Sequence, residues 1–344
     1  MPRIAVIIPA YNAAATIAET LASACGQSMT DIEIVVVDDG STDETAALVR
    51  AAQQGDARIR LIEQANAGVA AARNRAIEAS DCAFLAPLDA DDLWHRDKLA
   101  WQLERFAAAP PGTGLVYTWY HPVDAASRII EPVATPVAEG FVLHRHLVWN
   151  FVGNGSAPLI RRKALGDLRY ESDLAARGAG GCEDYLLQLQ LALNWDFACV
   201  PAHLVGYRQG EGRMSGDRLA MLRSHLETYR RMRSQVEGTA RQLCDDGWSR
   251  TKVLEASLRA GRVEAGGAAA AMAGALLNSP VASVRAAIRQ ARILRKVRTR
   301  EGPRGTPPAA RPSFGAVDPF RPARHWVPAS EFARAALLDR DYPR

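Results

Sequence analysis

The chain has 344 residues, of which 48% are hydrophobic and 23% charged, with a formal net charge of +4. That composition excludes collagen-like, fully disordered and multi-span membrane classes, and no uncharged apolar run reaches the roughly 18–20 residues that a membrane span needs. The start, MPRIAVIIPAYNA, lacks the order of a signal peptide, and the five cysteines (Cys25, Cys82, Cys182, Cys199, Cys244) are scattered without paired spacing, so a reducing cytosol is expected rather than a disulfide framework or a zinc site.

Residues 3–9, RIAVIIP, form a continuous β-branched run ended by proline, the pattern of a buried parallel strand. Thr16-x-x-Glu19 has the spacing of a capping box and opens a helix through about Ser23. IEIVVV at residues 32–37 predicts a second buried strand, followed by DDGSTDE and an Ala-rich helix over 44–54. RIRLIEQ then reads as a third strand, with a helix VAAARNRAIEAS after Gly68. CAFLAPL is a fourth strand, running into DADDLW and a helix after His95. Strand followed by helix, four times over, predicts a Rossmann-like, doubly wound and mostly parallel α/β sheet. In such sheets ligands bind beyond the carboxyl ends of the strands, where every unusual polar cluster so far is found.

From about Thr113 the pattern is less regular, with a strand GLVYTWYHP, a Gly/Asn turn at Gly153–Gly155, and helices near Tyr185–Leu193 and Leu219–Val236. Residues 240–300 read as all-helical, broken at Gly261, Gly266–Gly267 and Pro280. The remainder is Pro-rich with no sustained period, a wrapping arm or a flexible tail. The expected domains are a catalytic domain over 1–235, a helical accessory region over 236–300 and the tail over 301–344. From Pro280 onward there are 14 Lys and Arg against 5 Asp and Glu, leaving 28 against 33 before it. The mildly acidic body fits poorly with a nucleic-acid partner.

Four clusters carry chemistry. In Asp38-Asp39-Gly40-Ser41, the spacing Ser41-x-x-Glu44 suits a capping box and Gly40 a tight turn, but neither explains two adjacent carboxylates at a strand end. In Asp89-Ala90-Asp91-Asp92, three acids in four residues raise one another's pKa unless a cation such as Mg2+ or Mn2+ is present. There Asp92 reads as a solvated helix N-terminus, and Asp89 and Asp91 as functional. Arg73, Asn74 and Arg75 share one helix, so that at least one is expected to face the crevice. Gly181-Cys182-Glu183-Asp184-Tyr185 opens an apolar helix, where capping accounts for one acid and a catalytic base for a second.

With VIIPAYN, VVVDDGSTDET, NAGVAAARN, LAPLDADDLW and CEDYLLQLQLA in this order, about the first 235 residues resemble the family 2 glycosyltransferases of the GT-A fold. The resemblance implies that Pro9, Tyr11 and Asn12 wall a nucleotide site and that Asp39, beside Asp38, binds the base. It implies that Arg73 contacts the donor, that Asp89 and Asp91 form a D-x-D pair, and that Asp91 holds a divalent metal, Mn2+ or Mg2+. Asp184 matches the catalytic base, and Tyr207–Ser215 a mobile loop in which Arg208 or Arg213 would meet phosphate. The implied reaction is an inverting transfer from a nucleotide sugar, UDP-linked by preference, to a hydroxyl of a glycan or lipid-linked acceptor in cell-surface polysaccharide synthesis.

The alternative is a decayed nucleotide-binding or scaffold protein, whose mark would be loss of Asp91 or Asp184; both are present. PAYNAAATI supplies neither the phosphate loop of a nucleotidyltransferase nor the G-x-G-x-x-G of a dehydrogenase. His144, His146 and Trp149 suit either an acceptor site or the core. Arg285–Arg300 is a basic amphipathic helix, which either packs on its own domain or touches an anionic membrane through 284–300. The residue pattern favours the first; the resemblance makes the second attractive, and with it a cytoplasmic protein peripheral at the inner membrane.

Overall fold

The computed structural model describes residues 3–130, 133, 136–210, 217–262, 264–298, 312–316 and 329–341. The chain divides into two compact units, one of Met1–Ser172, Leu187–Glu211 and Arg311–Arg344, the other of Asp173–Leu186 and Gly212–Ala310. Residues 212–235 thus group with the helices that follow them, and the C-terminal segment groups with the first unit.

The first unit is built on one eight-stranded sheet. It opens with β1 (Ile4–Ala10), α1 (Ile17–Cys25), β2 (Ile32–Asp38), α2 (Thr45–Gly55), β3 (Ile59–Glu63), α3 (Val69–Glu78) and β4 (Phe84–Pro87). β5 (Leu93–Trp94), α4 (Lys98–Ala108), β6 (Thr113–Val123), α5 (Leu143–Val148), β7 (Leu159–Arg161) and α6 (Arg162–Leu165) follow. After α7 (Asp173–Ala176) and α8 (Glu183–Leu191) the chain returns as the long strand β8 (Asp196–Arg208). The strand order is β3-β2-β1-β4-β7-β6-β8-β5. β3, β2, β1 and β4 are mutually parallel. β7 pairs antiparallel with both β4 and β6, and β8 runs parallel to β6. All seven residues of β1 are buried, which is why its sequence is apolar without alternation.

The first four strand–helix repeats therefore form as expected, whereas β8 carries no clear sequence signal. Its run contains Pro201, and the β6 register jumps from Thr118↔Val200 to Trp119↔His203 around that proline. Proline is tolerated in a sheet where a bulge removes the need for its N–H. The expected capping boxes do not form. Thr16 Oγ1 donates to the carbonyls of Ala13 and Ala90. Ser41 Oγ accepts from Asn12 N, and α2 begins only at Thr45.

Two parts of the C-terminal segment pack on this unit. Ile129 N donates to Pro312 O (3.0 Å) and Phe314 N to Ser127 O (3.0 Å). Phe314 thereby packs on Leu93, Val123 and Ile129. α13 (Ala329–Arg340) packs on α5, where the buried Asp339 accepts from His144 N (2.8 Å), His144 Nδ1 (2.9 Å) and Arg145 Nε (2.6 Å).

The second unit is helical: α9 (Arg218–Arg233), α10 (Gly238–Gly261), α11 (Ala265–Asn278) and α12 (Pro280–Arg298), with α7 and the first turn of α8. Asp217 caps α9, accepting from Leu219 N and Ala220 N at 3.0 and 3.1 Å. α9 meets α10 where Gly247 leaves room for the Tyr229 ring; a Cβ there would lie 2.5 Å from it. The helices break after Gly261 and before Pro280, but Gly266 and Gly267 lie inside α11.

Candidate functional site

The chain passes from β1 outward to β2 and β3 and then returns to the other side of β1 with β4. The carboxyl ends of β2, β1 and β4 are therefore neighbours, and the strand order reverses between β1 and β4, the place where open α/β sheets bind ligands. Pro9 lies within buried β1, and Tyr11, just beyond it, is exposed. Asn12 adopts φ +48°, a left-handed conformation that asparagine tolerates, and its Oδ1 accepts from Thr42 N at 2.8 Å. The β1 loop and the β2 loop are thus tied together.

Asp38 and Asp39 are both buried at the end of β2, but they are used differently. Asp39 accepts from Gln64 Nε2 (2.7 Å), Ala67 N (2.9 Å) and Gly68 N (2.8 Å), which fixes the loop leading into α3. Asp38 Oδ2 accepts from Ser41 N at 3.2 Å, while its buried Oδ1 has no hydrogen-bond partner among the described residues. Gly40 makes the turn with φ +76°, and a Cβ there would lie 2.9 Å from Asn66 N. Glycine is required at that point.

The acidic turn after β4 is held from four sides. Asp92 N donates to Asp89 O (3.0 Å), and Thr16, just before α1, and Thr20 within it both donate to Ala90 O. Arg208 Nε donates to Asp91 O (2.7 Å), and Thr20 Oγ1 also donates to Asp92 O (3.0 Å). All four carbonyls of the turn are therefore bonded, and Asp89 N is satisfied by Ser156 Oγ at 3.0 Å. On this fixed backbone, the Asp89 carboxylate pairs with Arg73 Nη2 at 2.5 Å. Arg73 is the buried arginine of α3, and its guanidinium also sits 5.1 Å from the Tyr170 ring centroid. Gly155 closes over the pair, since a Cβ there would lie 3.1 Å from Arg73 Nη2 and 3.2 Å from Asp89 Oδ2. Asp91 is half-buried beside it.

Asp92 departs from its expected place as a solvated helix cap. It is fully buried, accepting from Ser156 Oγ (2.6 Å) and from Arg208 N (3.0 Å). Burial, with the Asp89 charge second, pushes its carboxyl up to about 8. α4 starts six residues later, at Lys98.

Arg208 is likewise not on a loop. It ends β8, buried, and its guanidinium donates to the carbonyls of Asp91, Asp124 and Ala125 and to Glu19 Oε2 at 2.5 Å. In this arrangement its donors serve the acidic turn rather than a phosphate. Arg213, with the rest of 211–216, lies outside the described residues.

His144 and His146 belong to the core rather than to an open pocket. The first is engaged by Asp339, and His146 Nε2 lies 3.1 Å from Gln188 Oε1, where burial holds its pKa down at about 3. Trp149 packs edge-on to Phe332. Ser156, Thr20 and Tyr170 had no sequence signal, and Glu19 signalled only a helix cap, because each acts on a residue distant in the chain.

Asp184 lies in the second unit, in the first turn of α8, half-buried, with Oδ1 accepting from Tyr185 N at 2.7 Å. Its neighbour Glu183 is buried and accepts from Gly181 N at 2.8 Å, ahead of the helix, whereas the Tyr185 N–H taken by Asp184 lies in the first turn itself. Cys182 Sγ lies 3.2 Å from His225 Nδ1, and burial raises its thiol pKa well above the usual range, which leaves it unreactive.

Residues 5–165 match the family model described as glycosyl transferase family 2. This region belongs to that family. Among relatives of the family 2 region, the putative teichuronic acid biosynthesis glycosyltransferase TuaG of Bacillus subtilis is 41% identical over 104 residues, covering 30% of this chain and 41% of that one. The succinoglycan biosynthesis protein ExoU of Rhizobium meliloti is 44% identical over 97 residues, 28% of each chain. The chain thus spans less than half the length of these curated relatives. The family 2 fold is GT-A. Solved structures similar to it include Staphylococcus aureus TarS 1-349 in complex with UDP-GlcNAc, with TM-score 0.58 and 20% identity over 74% of this chain and 73% of that one. Another is the mannosyltransferase PcManGT of Pyrobaculum calidifontis in complex with GDP-Man and Mn2+, with TM-score 0.57 and 22% identity over 87% and 82% of the two chains.

Proposed function

We propose that this chain is an inverting glycosyltransferase of bacterial polysaccharide synthesis, moving a sugar from a nucleotide sugar to a hydroxyl of a glycan or lipid-linked acceptor. The observation that carries the reading is the acidic turn Asp89–Asp92. All four of its carbonyls are bonded, and one of its carboxylates is paired with a buried arginine at the switch point between β1 and β4. Carboxylates in a rigid turn are preorganised for a ligand whose own charge must be positioned, which is what a nucleoside diphosphate and its cation require. The TarS and PcManGT structures with UDP-GlcNAc and GDP-Man support a donor of this class; the preference for a UDP-sugar rests on the sequence resemblance.

Pro9, Tyr11 and Asn12 form the wall of the nucleotide site, and the partnerless oxygen of Asp38 is an acceptor for a base N–H. Arg73 and Asp89 orient the ribose and the diphosphate. The donor set suits a hard divalent cation, because Mg2+ and Mn2+ take one or two carboxylates and complete their shells with phosphate oxygens and water. Among the described residues no group of three or more His, Cys, Asp or Glu side chains is placed to hold a metal ion. Asp91 would hold the ion, which when bound offsets the charge growing on the leaving diphosphate. The Asp184 carboxylate takes the proton of the acceptor hydroxyl as its oxygen bonds to the anomeric carbon, opposite the breaking bond to the diphosphate, so configuration inverts.

The test is turnover of a nucleotide-sugar panel by the wild type and by Asp184→Asn. The variant is expected to lose about 10²–10⁴-fold in transfer while binding the nucleotide as before. Wild-type turnover in the variant would remove Asp184 as the base.

A further inference from the structure

α12 is packed with the wrong side inward for a helix that serves only its own domain. Against α10 and α11 it buries Ala282 and Ser283, and Ser283 Oγ donates back to Ser279 O at 2.7 Å. Three of its branched aliphatic residues face outward: Val281, Val284 and Ile288 are 62%, 51% and 49% exposed. Their spacing of three and four residues places them in one stripe along the helix. Leu277, at the end of α11, is 87% exposed just before it. An amphipathic helix normally buries such a stripe, and a contiguous exposed one marks an interaction surface.

The charge beside the stripe says what covers it. From Val281 to Arg300 the sequence holds seven Lys and Arg and no Asp or Glu, and Arg285 is exposed next to Val284. A second copy of this chain would bring cations against cations, since the same patch would meet itself across a two-fold axis. A surface with an apolar interior and anionic groups at its edge satisfies both halves of the helix. No helix among the described residues is long and apolar enough to cross a membrane, so a helix of this kind would lie in the interface plane.

We propose that α12 is an interfacial helix that docks on an anionic bilayer, with Val281, Val284 and Ile288 entering the acyl boundary and the basic residues meeting lipid headgroups. The proposal is independent of the transfer reaction, because it can be read without donor or acceptor. The experiment is sedimentation of the full chain with phosphatidylcholine vesicles, alone or with about a quarter phosphatidylglycerol. The chain is expected to sediment with the anionic vesicles and not the neutral ones, less so in high salt. V284D/I288D is expected to cut the bound fraction about tenfold or more, and R285E to weaken binding to the anionic vesicles, both with unchanged circular dichroism and thermal melting. No sedimentation with anionic vesicles, or binding untouched by V284D/I288D, would overturn the proposal. It would equally be overturned if the wild type were a dimer that V284D/I288D dissolves, with no vesicle binding in either, for the stripe would then be an interface between copies.

Discussion

Arg208 shows how one side chain can govern a site without touching its ligand. Its donors meet the carbonyls of Asp91, Asp124 and Ala125 and the carboxylate of Glu19, and its own N–H meets Asp92. Arg208→Met leaves buried acceptors unsatisfied, and is expected to cost about 2–4 kcal/mol in urea unfolding and to weaken metal-dependent nucleotide binding. Were Arg208 a direct phosphate ligand, affinity would fall at unchanged stability. A second expectation concerns His146, whose buried ring is held down at about 3, chiefly by desolvation. A histidine with a depressed folded-state pKa contributes stability above about 6.5 that is lost as pH falls toward the folded value. Between pH 7 and 5 the wild type should lose about 2 kcal/mol more than His146→Phe, by denaturant melts at the two pH values; equal losses would contradict the assignment. Neither role could be read in the sequence. Arg208 ends a strand with no clear periodic signal, and Asp92 looked like a cap because the Ser156 that buries it is 64 positions away. By contrast Asp89 and Asp91 could be singled out, because clustered acids at a strand end have few structural reasons to be there, whereas Arg73 stood out only as one of three adjacent polar residues on its helix.

At the scale of elements, the C-terminal segment does more than its composition suggested. The 312–316 stretch pairs with Ser127 and Ile129, and the same turn supplies the Asp124 and Ala125 carbonyls that receive Arg208. A chain of contacts thus runs from Phe314 through the 124–129 turn and Arg208 to the acidic turn. Phe314→Ala is expected to destabilise the first unit by about 3 kcal/mol and to lower nucleotide affinity with it, by thermal melting and titration; destabilisation with unchanged affinity would break that chain of contacts. Asp339→Ala should also destabilise, since it strands the buried donors of His144 and Arg145, but leave nucleotide affinity unchanged. The four strand–helix repeats could be read because their periods are local. β7 and β8 could not, since their pairing partners lie far away in sequence and β8 carries a proline at its bulge. A Pro-rich tail has no period to reveal where it docks.

At the scale of the whole chain, the reading rests on one topological fact. The strand order reverses between β1 and β4, and the residues of three separate motifs meet there: Asn12, Asp38 and the Asp89–Asp92 turn. The order of motifs in the sequence was enough to expect this arrangement. The division into units was not, because residues 173–186 join helices that begin more than thirty positions later. The most direct measurement is calorimetric titration of the full chain and of Asp91→Ala with UDP, GDP and dTDP, each with and without Mn2+. The account predicts that one nucleotide, UDP by preference, binds the wild type far more tightly with Mn2+ than without, and that Asp91→Ala loses this difference. Absence of binding by all three nucleotides, or metal dependence undiminished in Asp91→Ala, would contradict it.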